Sequence, residues 1–209
     1  DIDGDTLTIT EVTFEGETHE VSGETTITGA TTGSQVVVNP ANGRISFVPE
    51  GDWYKALSAD DVIEKVLSYK VADPGGVESD ATNLTLTVQG VNDAPEVASS
   101  AITLSGTEDG ANVTGSLSDY ASDPDQGSQL TFSVAAGGDP ENGTLTVNPD
   151  GTFSYNPEDN FYGDDTFIFR VVDENGVAAT KTVSINVASV NDAPTVVDEA
   201  VELAANKSV

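Results

Sequence analysis

The hydrophobic residues of the chain alternate with polar ones in short runs, which is the period-two pattern of β-strands that bury one face. The clearest runs are Leu145–Val147, Phe153–Tyr155, Phe167–Val171 and Val183–Val187. Gly, Asn, Asp or Pro residues separate the runs, as is typical of the turns between antiparallel strands. The pattern therefore predicts an all-β chain.

Two local signals refine this prediction. Asn-Gly or Asp-Gly pairs at 42–43, 150–151 and 175–176 supply the positive φ angles that tight hairpin turns require. The segment 58–67 departs from the alternation, because Ser58 is a suitable cap and acidic residues follow it near the positive end of a helix. We therefore expect a possible short helix over residues 58–67.

The chain repeats itself. The motif Val-Asn-Asp-Ala-Pro at 91–95 returns 99 residues later at 190–194. A unit of this length with several short strands fits a Greek-key β-sandwich of the immunoglobulin type. The sequence therefore predicts two tandem sandwiches, repeat 1 at residues 1–95 and repeat 2 at residues 96–194. Three further segment pairs match in the same order: 1–9 with 123–132, 39–43 with 148–151, and 69–76 with 169–176.

The two repeats differ at their edges. Repeat 2 has room before Asp123 for a first strand at 101–104 and a second segment at 112–117, whereas repeat 1 begins at the counterpart of Asp123. Repeat 1 is therefore predicted to lack its first strand or strands. Residues 195–209 are expected to start a third repeat, or to donate a strand at 200–203 to a neighbouring copy.

Composition narrows the classes of partner. The chain has 36 Asp and Glu against 7 Lys and Arg, a formal charge of -29, which repels nucleic acid phosphates and anionic membrane surfaces. It has no apolar run near the roughly 18 residues that a membrane span requires. Without cysteine, disulfides and thiolate metal sites are excluded, so any metal must bind to oxygen.

Acidic residues collect at the ends of the predicted strands. Two carboxylates about 5 Å apart repel by roughly 3 kcal/mol at an effective dielectric constant near 20, so such a cluster favours a divalent cation. Oxygen ligands on loops suit Ca²⁺ better than Mg²⁺ or Zn²⁺. The alternative is that these residues only form turns and a solvated surface. The candidate ligands are Asn92, Asp93, Glu108, Asp123, Asp125 and Asp173 around repeat 2, Asn191 and Asp192 in the second motif, and Asp1, Asp3 and Asp73 in repeat 1.

Five stretches of repeat 2 carry a family resemblance, namely residues 123–125, 142–145, 161–167, 172–176 and 190–194. They resemble the bacterial cadherin-like and VCBS repeats that occur in tandem in large RTX-type, calcium-dependent adhesins secreted by Gram-negative bacteria. Repeat 1 is closer to the VCBS form because of its insertion at 53–67. In cadherin-like arrays calcium lies at domain junctions, which implies that Asn92 and Asp93 join Glu108, Asp123, Asp125 and Asp173 of the next unit.

This resemblance implies a calcium-stiffened spacer of a bacterial surface adhesin, secreted or held at the cell surface and acting in adhesion and biofilm formation. Its expected partners are neighbouring repeats of the same adhesin. In the alternative interpretation the repeats flank or form an adhesive module, in which Trp53, Tyr54 or the open edge of repeat 1 contacts a glycan, a peptide or another chain.

No catalytic residues are predicted. His19 has no evident nucleophile partner for acid–base catalysis. Asp164 and Asp165 are adjacent on a predicted strand, so they face opposite sides and do not form a glycosidase pair. The chain is therefore not expected to be an enzyme.

Overall fold

The structure, a computed structural model, describes residue 2 and residues 4–194, and it confirms the all-β prediction. The described part of repeat 1 contains seven strands and one short helix. Its strands are β1 Thr8–Phe14, β2 Glu17–Glu20, β3 Thr25–Thr28, β4 Gln35–Asn39, β5 Arg44–Val48, β6 Val62–Ala72 and β7 Thr82–Gln89, and its helix α1 spans Asp52–Lys55.

Repeat 2 contains nine strands and one turn of 3-10 helix at Leu117–Tyr120. The strands are β8 Glu96–Val97, β9 Ile102–Thr107, β10 Val113–Ser116, β11 Ala121–Ser122, β12 Thr131–Val134, β13 Gly143–Val147, β14 Thr152–Pro157, β15 Gly163–Val172 and β16 Ala178–Ala188.

Repeat 2 is a sandwich of two sheets. One sheet has the strand order β12-β15-β16-β9 and the other has the order β10-β14-β13. The alternating apolar residues of both sheets meet in one core, in which Tyr155, Phe169 and Val183 are fully buried. The predicted period-two runs are therefore the inward faces of these strands.

Repeat 1 has the same arrangement with fewer strands. Its sheets are β2-β1-β6-β7 and β3-β4-β5, and its core contains Val12, Phe14, Val36 and Leu67. The strand pairs of the two repeats agree in register, because Leu67 faces Leu84 across β6 and β7 as Phe167 faces Val183 across β15 and β16. The internal match found in the sequence is therefore a match of structure.

Strand directions define the two poles of repeat 2. Strand β15 is antiparallel to β16, whereas β9 is parallel to β16. Residues after β15 therefore lie at the pole where β16 begins, and residues after β9 lie at the pole where β16 ends. The first pole faces repeat 1 and is called the junction pole below; the second is called the far pole.

The prediction of a short helix over 58–67 was wrong. Strand β6 starts at Val62, and the only helical turn nearby in the described chain is α1, at Asp52–Lys55. Ser58 does not act as a cap, because its backbone N–H and its hydroxyl both donate to Asp61 Oδ2, at 2.9 and 3.1 Å. The Ser and Asp residues therefore close a turn, and the β-branched and aromatic residues that follow extend as a strand.

Some predicted features lie outside the described residues, namely Asp1, Asp3 and the segment 195–209 with its expected strand at 200–203. Within the described part of the chain, no helix has the length and apolarity needed to cross a membrane.

Candidate metal centre at the junction of the repeats

The segment that connects the repeats is tied to repeat 2 by three hydrogen bonds. The Asn92 side-chain amide donates to Asp173 Oδ2 at 2.9 Å, and the Asp93 backbone N–H donates to Asp125 Oδ2 at 3.0 Å. The Asn175 amide in turn donates to Asn92 Oδ1. Residues from the connection, from the loop after β11 and from the turn after β15 therefore meet at the junction pole.

The loop that holds Asp123 and Asp125 is shaped by its own carboxylates. The Asp125 backbone N–H donates to Asp123 Oδ1 at 2.9 Å, which is the Asx-turn geometry expected of Asp two residues before a free N–H. Gln126 in the same loop donates its N–H to the carbonyl of Ala56 in repeat 1 at 2.9 Å. The loop therefore bridges the two repeats directly.

Two carboxylate oxygens in this loop have no hydrogen-bond partner among the described residues. They are Asp123 Oδ2 and Asp125 Oδ1, and both atoms are shielded from solvent. Asp125 as a whole is 4% exposed. A buried acceptor without a partner costs about 1–3 kcal/mol, so these two oxygens are the feature of the pole that most clearly calls for a ligand.

The electrostatics agree with this geometry. Burial raises the pKa of the Asp125 carboxyl, and the nearby charges of Asp123, Asp93 and Glu174 raise it further, against the opposing effect of the Asp93 N–H. The pKa of Asp173 is lowered, chiefly by the hydrogen bond from the Asn92 amide. The pole therefore concentrates negative charge that a bound cation would neutralise.

The oxygen atoms at the junction pole are suitable ligands for a hard cation. In the structure the side chains that carry them do not converge on one point. Across the described residues, no three acidic or histidine side chains already have a metal-binding arrangement. Asp173 uses both carboxylate oxygens in hydrogen bonds, Oδ2 to Asn92 and Oδ1 to the Val177 N–H at 2.8 Å. Coordination by Asp173 would therefore use a remaining lone pair of one of these oxygens.

The expected membership of Glu108 in this cluster was wrong. Glu108 follows β9 and therefore lies at the far pole, where its N–H donates to the Ala188 carbonyl at 3.0 Å. Its Oε1 accepts the Val190 N–H at 2.6 Å. The side chain is 3% exposed, so it holds the end of β16 in place at the far pole.

The other predicted ligands are distributed over separate places. Asn191 and Asp192 are exposed beside Glu108 at the far pole. Asp73 follows β6 as Asp173 follows β15, and its Oδ1 accepts the Val77 N–H at 2.8 Å. Asp73 therefore lies at the end of repeat 1 that is remote from the junction.

Two residues of the junction were missed by the sequence reasoning. Ala56 contributes its carbonyl because the insertion of repeat 1 carries α1 to the loop of repeat 2. Glu174 Oε2 accepts the Ser128 hydroxyl and the Gln129 N–H, both at 2.8 Å, and so fixes the end of the Asp123–Asp125 loop. The position of Glu174 next to Asp173 was the available signal.

A comparison with known protein families gives a match over repeat 2. Residues 92–189 match the bacterial cadherin-like domain, which confirms the cadherin-like resemblance found in the sequence. No curated protein matches the chain.

Solved structures of cadherin ectodomains are similar to this chain. Drosophila N-cadherin EC1-4 is similar over 90% of this chain and 42% of its own, with a TM-score of 0.50 and 18% identity. Human desmocollin-1 ectodomain covers 88% of this chain and 34% of its own, with a TM-score of 0.44 and 15% identity. Human mucin-like protocadherin EC1-2 covers 90% of this chain and 100% of its own, with a TM-score of 0.45 and 15% identity. The chain spans about a third of the desmocollin chain and less than half of the N-cadherin chain.

Proposed function

We propose that this chain is a spacer of a secreted or surface-held bacterial adhesin, of the RTX type with VCBS-like and cadherin-like repeats, and that Ca²⁺ stiffens the junction between its two repeats. The ligands at this junction are Asn92, Asp93, Asp123, Asp125 and Asp173. The far pole, with Glu108, Asn191 and Asp192, provides the corresponding half-site toward a following repeat.

A single observation carries the proposal: the solvent-shielded Asp123 Oδ2 and Asp125 Oδ1 have no partner among the described residues at the point where the repeats meet. Bound calcium gives these two oxygens the positively charged partner that they lack. Asp93 and Asp125 already join the connection to repeat 2, so an ion held there restricts the hinge. Without the ion, repulsion among the carboxylates loosens it.

The test is calorimetric unfolding of the full chain in calcium, in matched magnesium and in excess EDTA. Binding to the folded state alone adds about 2.7 kcal/mol when free calcium is one hundred times Kd, so the melting temperature should rise in calcium and not in magnesium. Small-angle X-ray scattering of the same samples should show a narrower range of maximum dimensions in calcium.

Two variants sharpen the test. The double variant Asp123→Asn with Asp125→Asn should lose the calcium-dependent rise. The control variant Asp139→Asn removes a single charge from an exposed loop of repeat 2 and should retain the rise. Equal melting temperatures of the unmodified chain in calcium and EDTA, or an undiminished calcium effect in the double variant, would contradict the proposal.

The alternative role in ligand contact rests on Trp53 and Tyr54. Trp53 is 45% exposed, but the Lys65 amine lies 5.7 Å from its ring centroid and Tyr54 packs edge-on against it. A sugar would have to displace Lys65 to use that ring face, so the stacking role stays a prediction.

A further inference from the structure

Repeat 2 has a free sheet edge at β13, and repeat 1 shows how such an edge is covered. Strand β13 is the last strand of the sheet β10-β14-β13, and no strand among the described residues pairs with its outer edge. Its counterpart in repeat 1 is β4, whose outer edge pairs antiparallel with β3. The difference lies inside the repeats, because repeat 1 forms β2 and β3 between β1 and β4, whereas the segment between β12 and β13 forms no strand.

The burial of the inward residues reflects the absence of a covering strand. Val36 and Val38 on β4 are 0% exposed, and Ile27 on β3, which faces Val36, is 2% exposed. The corresponding residues of β13 are Leu145 and Val147, which are only partly buried. The core of repeat 2 is therefore partly open along this edge.

The backbone groups of these two residues of β13 also point to the free edge. The Asn148 N–H donates to the Thr152 carbonyl at 2.8 Å. The Glu158 N–H donates to the Asn142 carbonyl at 2.9 Å. Hydrogen bonding alternates along an antiparallel strand, so the even-numbered residues of β13 bond to β14 and the odd-numbered ones direct their N–H and C=O groups outward. An added strand would find these groups ready to pair.

The edge itself is uncharged, in a chain with a net charge of -29. Residues 143–147 contain none of the charged or proline residues that commonly keep a free edge from pairing. Acidic residues lie beyond its two ends instead, with Glu141 before the strand and Asp150 after it, both exposed. A pocket of about 310 Å³ adjoins the first end, and Asp139, Glu141 and Asp164 contribute to its lining. An added strand therefore meets an apolar centre and two acidic ends.

We propose that the edge of β13 binds an extended basic segment of another protein, which adds a strand antiparallel to β13. This binding role goes beyond the spacer role and does not require calcium. Strand β3 of repeat 1 gives the register: Ile27 faces Val36, so an aliphatic residue of the partner faces Leu145. Basic residues on either side of it then reach Asp150 at one end and the acidic pocket at Glu141 at the other.

A second copy of the chain is less suitable as the partner. Antiparallel pairing of two β13 strands about Leu145 would bring Glu141 of one copy beside Asp150 of the other at both ends. Like charges there repel, and each copy also carries a net charge of -29. A basic segment makes the same backbone hydrogen bonds and is attracted at both ends.

The test is a peptide titration followed by NMR in EDTA, so that the result does not depend on the proposed calcium site. The probe is the peptide Lys-Thr-Thr-Ile-Thr-Lys-Lys, which is the sequence of β3 between lysines. It should shift the backbone amide signals of Leu145 and Val147. The same peptide with lysine in place of isoleucine carries more positive charge but lacks the apolar residue, so it should bind at least tenfold more weakly.

Two methylated peptides distinguish strand pairing from attraction between charges. In the proposed register the isoleucine N–H points toward β13 and the N–H of the next threonine points away. Methylation of the isoleucine nitrogen should therefore abolish the shifts, and methylation of the threonine nitrogen should preserve them. In the chain, Glu141→Gln should weaken binding of the probe severalfold, whereas Asp80→Asn, which removes an exposed charge from repeat 1, should not.

Three results would overturn the proposal. The first is a titration without shifts at Leu145 and Val147. The second is equally tight binding of the lysine-substituted peptide, which would reveal only non-specific attraction to an acidic chain. The third is dimerisation of the free chain that protects the Leu145 and Val147 amides from hydrogen exchange, which would assign the edge to a second copy. Calcium stiffening of the junction would be unaffected by any of these results.

Discussion

Asp125→Asn should stabilise the protein when calcium is absent and should lose most of that advantage when calcium is bound. Its buried Oδ1 has no partner, and the charges of Asp93, Asp123 and Glu174 surround it. In EDTA, Asp125→Asn removes one of the repelling charges. The amide oxygen of the Asn can still accept the Asp93 N–H, which lies 3.0 Å from Oδ2 in the structure.

The magnitude follows from the unpartnered oxygen. A buried acceptor without a hydrogen bond costs about 1–3 kcal/mol, and the substitution also removes the charge that Asp123 repels. Asp125→Asn should therefore stabilise the metal-free protein by about 1–2 kcal/mol. In calcium, loss of a charged ligand weakens binding by on the order of tenfold, about 1.4 kcal/mol, so the variant should then gain less stability from the ion.

Calorimetry separates the two conditions, because about 1 kcal/mol moves the melting temperature of a domain of this size by roughly 4–8 °C. The single tryptophan, Trp53, lies in repeat 1, so its fluorescence reports that repeat and helps to assign the transitions. Asp139→Asn serves as the control for loss of an exposed charge. A variant that is less stable than the unmodified chain in EDTA would refute the idea that repulsion at Asp125 destabilises the metal-free junction.

Further outcomes are expected at residues that are not proposed ligands. Asp165→Asn should destabilise repeat 2 by about 2–3 kcal/mol in chemical unfolding, because Asp165 is 4% exposed and its Oδ2 accepts a hydrogen bond from the Tyr155 hydroxyl at 2.8 Å. Tyr155→Phe, which removes only the donor, should destabilise it by about 1 kcal/mol. Burial raises the pKa of Asp165, but hydrogen bonds from Tyr155 and three backbone N–H groups outweigh it and lower the pKa overall. The stabilisation from Asp165 is therefore complete above about pH 4 and is lost as the pH falls through its lowered pKa. Melting curves recorded between neutral and strongly acidic pH will detect this loss. If the melting temperature of Asp165→Asn depends on pH in the same way as that of the unmodified chain, this assignment is contradicted. Gly90→Ala should displace the turn at Ser58, because the added Cβ would lie 2.1 Å from the Ser58 carbonyl oxygen, and melting of repeat 1 followed by Trp53 fluorescence should shift downward.

The strands were predictable because their inward faces alternate without interruption. Phe167, Phe169 and Val171 on β15 are all at most 1% exposed, which is the burial that the pattern indicates. The helix prediction for the segment 58–67 was wrong because Ser and Asp side chains favour both helix starts and turns. Strand β6 forms instead because it pairs with both β1 and β7. This pairing involves residues that are distant in sequence.

The candidate site was predictable in its chemistry and only partly in its geometry. Asp123, Asp125 and Asp173 do lie at one pole, with Asn92 and Asp93 hydrogen-bonded to them. Glu108 was misplaced because the sequence does not show that β9 pairs in parallel with β16. Ala56 could not be found from its type, since a backbone carbonyl leaves no mark on the sequence.

The parallel pairing of β9 and β16 also determines how repeat 2 carries mechanical load. The two strands are registered over six residue pairs, from Ile102 with Val183 to Thr107 with Ala188. Tension that enters through the connection before β9 and leaves after β16 pulls the strands along their length in opposite directions. The hydrogen bonds between them are then sheared together instead of opening one by one.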